Sequence, residues 1–262
     1  MKKIRRPAVA GLFYPADPDE LRSKVRQFLH DATPGRIKTP KALVAPHAGY
    51  IYSGPIAGNA YAQLSEIKET VKRVILFAPS HRMAFRGLAY SAADYFETPL
   101  GNVAVDTEAL AAIDDLPQVK QLEQPFENEH ALEVHIPFLQ ESLDDFRIVP
   151  LLVSDATPEH VEEVLERLWG GDETLIVISS DLSHYLDYDS AKKMDSETTR
   201  AIEELDPDSL GYNNACGRTL VSGLLLAARH NHLKVTTLDL RNSGDTAGPR
   251  NQVVGYGAYA FS

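Results

Sequence analysis

Short runs of β-branched and aliphatic residues alternate along the chain with longer stretches in which apolar positions recur every three or four residues. The runs Ala42 to Ala45, Arg73 to Ala78, Arg147 to Val153 and Thr174 to Ser179 are nearly continuous in apolar residues, the mark of strands buried on both faces. A fifth run, Val253 to Phe261, alternates and so predicts a strand with one wetter face. Helical periodicity fills Asp19 to Ala32, Gly54 to Ile67, Thr107 to Asp114, Pro158 to Trp169, Asp189 to Leu205 and Ala215 to Asn231. Thr157-Pro158-Glu159 sets a capping hydroxyl before a proline and an acid, and Asn213-Asn214 precede the last of these helices. Asp94 to Asn102 predicts a loop or hairpin, and Arg241 to Gln252 a further loop rich in Gly, Pro and Asn. Strands alternating with helices predict an α/β fold, with a largely parallel or mixed central sheet and helices on both faces. With no repeat, low-complexity tract or long linker, residues 1–262 are expected to form a single three-layer domain.

A composition of 44% hydrophobic and 24% charged residues is that of an ordinary globular protein. The formal net charge of -11 argues against nucleic acid or an anionic membrane as the main partner, since both repel an acidic surface. Cys216 is the only cysteine, which excludes an intrachain disulfide and gives no sign of an oxidising compartment. The basic start Lys2-Lys3-Ile4-Arg5-Arg6 is followed by too short an apolar run for a secretory leader, and no run approaches the ~18 apolar residues of a membrane span. A cytoplasmic location is the expectation.

Three polar clusters stand at the carboxyl ends of predicted strands, where open α/β sheets bind their ligands. They are Ala45-Pro46-His47-Ala48-Gly49-Tyr50, Ala78-Pro79-Ser80-His81-Arg82 and Ser179-Ser180-Asp181-Leu182-Ser183-His184. Any one of these histidines alone reads more simply as structural, and Pro46 and Pro79 serve equally to end a strand. Together they change the picture, because neighbouring strands lie only ~4.8 Å apart and their end residues can converge on one ion or substrate. Cys216, placed in the first turn of its helix, would be favoured as thiolate and as a metal ligand; alone it would read as a small buried hydrophobe. His130 and His135 are five residues apart, about 140° around a helix, so they do not form a zinc-protease pair. His135, before Ile136-Pro137, reads as a single acid-base group or hydrogen-bond donor, or else as a cap or core residue. Tyr50, Tyr52, Phe85 and Tyr185 flank the strand-end histidines as candidate walls of a cleft. Neither a nucleotide loop nor a nucleophile elbow is present.

On these residues the chain resembles the Memo family, also called AmmeMemoRadiSam system protein B. The likeness runs from Arg6-Pro7-Ala8-Val9-Ala10-Gly11-Leu12-Phe13-Tyr14-Pro15 through Pro46-His47-Ala48-Gly49-Tyr50 and Pro79-Ser80-His81. It continues through Glu129-His130-Ala131-Leu132-Glu133-Val134-His135 and Ser179-Ser180-Asp181-Leu182-Ser183-His184 to Cys216-Gly217-Arg218. The resemblance implies a fold similar to the class III extradiol dioxygenases, which open catechol rings with non-haem Fe(II). It also implies that His47, His81 and Cys216 are metal-binding positions. Those dioxygenases use a carboxylate where this chain has Cys216, and a thiolate is a softer donor that also suits Cu(I) or Zn(II). The expectation is therefore a divalent metal, Fe(II) favoured and Cu or Zn as alternatives, in a redox protein or oxygenase. His184 and His135 would carry protons there, and Asp181 would orient His184. A small-molecule or peptide ligand is expected in the strand-end pocket, and three other readings follow: a non-enzymatic binding module for a peptide or partner protein, an accessory component beside AMMECR-type and radical-SAM partner proteins, and a zinc hydrolase.

Overall fold

The structure, a computed structural model, describes residues 2–33 and 37–262. In chain order its strands are β1 (Ile4–Arg5), β2 (Ala42–Ala45), β3 (Arg73–Pro79), β4 (Leu88–Tyr90), β5 (Tyr95–Thr98), β6 (Gly101–Ala104), β7 (Val119–Gln121), β8 (Arg147–Val153), β9 (Thr174–Ser179), β10 (His184–Leu186), β11 (Val235–Asn242) and β12 (Val253–Phe261). Its α-helices are α1 (Pro18–Asp31), α2 (Tyr50–Tyr61), α3 (Thr107–Ala111), α4 (Ile136–Ser142), α5 (Pro158–Leu168), α6 (Tyr188–Glu203) and α7 (Arg218–His230).

One large mixed sheet runs in the order β10-β12-β2-β9-β3-β8-β4-β7, with β11 paired to β12, and a small sheet joins β1, β5 and β6. Its centre, β2-β9-β3-β8, is parallel, and β12 and β4 flank it in antiparallel pairing. The central strands are the apolar runs of the sequence, and every residue of β2 and β9 is buried, as a sheet covered on both faces requires. Helices α1, α2 and α4 pack on one another, α5 packs on α7, and α6 packs on β11 and β12. One continuous apolar core extends from Val9 to Phe261. Among the described residues no helix is long and apolar enough to cross a membrane.

Several elements differ from the periodicity. The helix expected from Gly54 starts at Tyr50, and its two glycines serve packing rather than capping. A Cβ on Gly54 would lie 2.4 Å from the Phe28 ring and one on Gly58 2.5 Å from the Phe28 carbonyl oxygen, so α1 and α2 cross too closely for side chains there. The helix expected from Ala215 begins at Arg218, leaving Cys216 outside it. β11 is an unforeseen edge strand whose half-polar composition hides it, and it takes the first two residues of the loop expected at Arg241 to Gln252. The expected hairpin at Asp94 to Asn102 forms as β5 and β6.

Glu133 ties the amino-terminal segment beneath the sheet's working end. Its carboxylate is fully buried. Oε1 accepts from the Tyr14 hydroxyl at 2.6 Å and the Val9 N–H at 2.9 Å, and Oε2 from the Ala8 N–H at 2.7 Å. The Arg5 guanidinium pairs with the same Oε2 and donates to the Glu129 carbonyl at 2.5 Å. Removing one partner of such a pair leaves the other charged and desolvated. Glu133→Ala is therefore expected to lower the unfolding free energy by about 3–5 kcal/mol, read from urea denaturation followed by circular dichroism.

Candidate metal centre

Strand β9 lies between β2 and β3, so the loops leaving these three strands meet over its end. After β2, Pro46 offers no N–H to the ladder and the chain turns out; the His47 N–H is then caught by Asp181 Oδ1 at 2.8 Å. After β3, the His81 N–H donates to Glu129 Oε2 at 2.6 Å. Beyond β9, the Asp181 N–H points at Cys216 Sγ at 3.2 Å, and the Cys216 N–H returns to the Asp181 carbonyl at 3.2 Å. Gly217 makes this approach feasible, since a Cβ there would lie 2.7 Å from Ser180 Cβ and 2.8 Å from the Ser179 carbonyl. The result is a Cys216 Sγ 3.4 Å from His47 Nε2.

Ligand atoms of His47, His81 and Cys216 lie within 4.8 Å of one another. Zinc or a similar ion with bonds of ~2.0–2.3 Å spaces tetrahedral donors about 3.3–3.8 Å apart. The cysteine–histidine pair already has that spacing. His81 is the exposed member of the three. The residues fit a divalent metal.

The ring tautomers follow from hydrogen-bond counting. Ser179 Oγ donates its single hydrogen to the Ala131 carbonyl at 2.7 Å. It also stands 2.6 Å from His47 Nδ1 and 2.8 Å from His135 Nε2. Both imidazoles must therefore donate to it, because a hydroxyl has one hydrogen and two lone pairs. His47 thus carries its proton on Nδ1 and turns a bare Nε2 toward Cys216. His135 carries its own on Nε2, and its Nδ1 accepts from the Tyr61 hydroxyl at 2.8 Å. For His81, Nδ1 faces Glu129 Oε1 at 3.2 Å, which leaves Nε2 as the free ring nitrogen. Carboxylates and hydroxyls in this position commonly fix the orientation of metal-binding histidines.

A second grouping, His81, Glu129 and His130, has similar spacing. Glu129, however, already accepts N–H bonds from His81, His130 and Ala131, so it serves to hold the imidazoles rather than an ion of its own. Burial alone would raise its pKa, but the facing His130 and His81 and the Ala131 N–H outweigh burial and hold the carboxyl far below its usual range. The His130 ring stacks on His81 at 5.0 Å and meets Phe13 at 4.7 Å.

Burial, followed by the neighbouring imidazoles of His81, His130 and His135, pushes His47 well below the ordinary histidine range. Burial, followed by the negative Asp181, pushes the Cys216 thiol up to about 12. This corrects the expectation of a thiolate favoured by a helix start. Cys216 lies two residues before α7 and is largely enclosed by protein, so desolvation dominates and the sulfur keeps its proton until a cation replaces it.

The other expected site residues are distributed as follows. Asp181 and His184 line a cleft of about 560 Å³ together with His47, His81 and His130. His184 is oriented by the Leu182 carbonyl, 2.7 Å from its Nδ1, and not by Asp181, whose hydrogen bond goes to His47. His135 is buried behind the centre and reaches it only through Ser179. Tyr52 and Tyr185 line the cleft. Tyr50 instead lies in the core with its hydroxyl on the Val134 carbonyl at 2.7 Å, and Phe85 packs against that core. Sequence reasoning passed over Ser179 as a partner for the histidines, and over Glu129 and His130. An acid immediately before a histidine was the available signal for the last two.

A family model described as Memo-like protein matches residues 5–260. A MEMO1 family protein of Aquifex aeolicus is 36% identical over 265 residues, covering 97% of each chain. Another, from Aeropyrum pernix, is 37% identical over 288 residues, covering 98% of this chain and 99% of its own.

Two outcomes test this geometry. Ser179→Ala releases the His47 ring and is expected to weaken metal binding by ~10–100-fold, measured by competition with a chromophoric chelator. Between about pH 7.5 and 9 ordinary imidazoles are neutral while the Cys216 thiol, with its raised value, is still protonated. Each ion bound then displaces one proton. Apparent affinity is expected to climb about tenfold per pH unit, with the slope lost in Cys216→Ala.

Proposed function

Because this chain belongs to the Memo family, we propose that it is a metal-dependent redox protein or oxygenase, with one divalent ion, Fe(II) by preference, held by His47, His81 and Cys216. The observation that carries this reading is the convergence of one thiol with two imidazoles that have bare nitrogens and line an open cleft. Bound there, iron or copper would supply one-electron chemistry and Lewis acidity, whereas zinc would supply the second alone.

The chain's own residues supply orientation and protons. His184 holds its Nδ1 hydrogen on the Leu182 carbonyl, which leaves Nε2 as the ring nitrogen that can accept a proton from whatever occupies the cleft. Burial raises the Asp181 carboxyl from its usual value, which brings its protonated form closer to neutral pH. His135 has both ring nitrogens engaged, which suits it to hold Ser179, and through Ser179 the His47 ring, in place.

The test is metal analysis of the untreated protein followed by anaerobic loading with Fe(II) and measurement of O₂ uptake with catechols and other reduced aromatics. Turnover that falls ~10²–10⁴-fold in His184→Ala is the expected result. Absence of O₂ uptake with any loaded metal would remove the redox reading. A binding module would then remain, favoured by the 38% and 71% exposure of Tyr52 and Tyr185 on the cleft wall. Its signature would be peptide binding that survives in the His47→Ala, His81→Ala double variant.

A further inference from the structure

Cys216 lines a cleft other than the one lined by His47 and His81. A cavity of about 580 Å³, within the range of small-molecule sites, is bounded by Cys216, Arg218, Thr219, Asn213 and Met194. His184 is shared between this cavity and the one floored by the histidines. The metal centre therefore stands between two openings.

We propose that this second cleft binds the carboxylate of a small organic acid through Arg218, with the body of the ligand directed toward Cys216 and His184. Arg218 is half-buried, and its guanidinium makes no hydrogen bond or ion pair with any described residue. That is unusual for its surroundings, because a chain with 37 acidic against 26 basic residues offers carboxylates readily. No Asp or Glu lines this cavity. A half-buried guanidinium without a counter-ion lacks a partner that a ligand oxyanion can supply in bidentate form. The side chains of Thr219 and Asn213 offer neutral hydrogen bonding at the same wall. One permanent cation with neutral neighbours matches a singly charged carboxylate better than phosphate, whose second charge calls for further cations.

As a substrate site this cleft rests on the metal reading above; as a carboxylate site it does not, and the experiment separates the two. The full chain, metal-free and Fe(II)-loaded, is titrated with benzoate, with benzamide as its neutral counterpart and with inorganic phosphate. Binding is followed by calorimetry and by the methyl resonance of Met194, which lies in the cavity. Benzoate is expected to bind at least ~10-fold more tightly than benzamide and to move the Met194 signal with or without metal. Arg218→Gln should abolish that preference, and Arg218→Lys should keep part of it. His81→Ala should lose metal binding yet keep benzoate binding, which would show the cleft independent of the metal reading. Equal binding of benzoate and benzamide to the unaltered protein would overturn the proposal, as would a preference that persists in Arg218→Gln. Tighter binding of phosphate than benzoate would overturn the carboxylate assignment. Benzoate binding that requires metal would place the ligand on the ion instead.

Discussion

The single hydroxyl hydrogen of Ser179 governs the arrangement around the candidate metal centre. It is committed to the Ala131 carbonyl, so the oxygen can only accept from His47 and His135. Four separate parts of the chain meet on this atom: the end of β9, the loop after β2, the Ala131 to His135 segment and, through Tyr61, helix α2. Both imidazoles are almost wholly buried, where an unpaired N–H would cost about 1–3 kcal/mol. The network is satisfied in one proton arrangement and that arrangement leaves His47 Nε2 bare. Folding and metal readiness are then consequences of the same hydrogen-bond count.

Electrostatics supports the same division of states. Burial moves the His47 imidazole down and the Cys216 thiol up, and both shifts favour the neutral form. Glu129 stays ionised because three N–H groups and two imidazoles surround it. A dication entering with loss of the thiol proton adds one net positive charge, and the Glu129 carboxylate beside His81 offsets it. A soft thiolate in place of a carboxylate widens the range of metals the centre can hold, while the fixed imidazoles keep its geometry specific.

The layout of the site was readable because its logic is topological. Apolar runs of four to seven residues announced β2, β3, β8 and β9, and the polar clusters behind three of them announced where a ligand would lie. The small strands β1, β4 and β7 were illegible, since two or three residues cannot display a period of two. β11 was hidden because an edge strand tolerates polar residues on both faces. Within the site, residue types pointed to His47, His81 and Cys216, but the division of labour between His130 and His135 did not follow from spacing alone. That division depends on a segment of irregular turns and 3₁₀ helix, Glu129 to His135, in which a regular helix would have misplaced both rings. The thiol's state was misjudged for a related reason: a sequence shows proximity to a helix start, whereas desolvation depends on what folds over it.

The position of the centre between two clefts also bears on how a charged ligand could reach a strongly acidic chain. A net charge of -11 opposes an approaching anion at long range and slows its encounter. At physiological ionic strength that field decays over ~8 Å, so within a cleft the nearest fixed charges decide the outcome. On the histidine side the nearest are Asp181 and Arg82, of opposite sign. On the Cys216 side Arg218 stands without a carboxylate among the lining residues. The two openings therefore differ in sign preference although they share His184. The His184 Nε2, left free by the Leu182 carbonyl, can accept a proton from a ligand in either, which gives the shared histidine a chemical reason for lying on the wall between them.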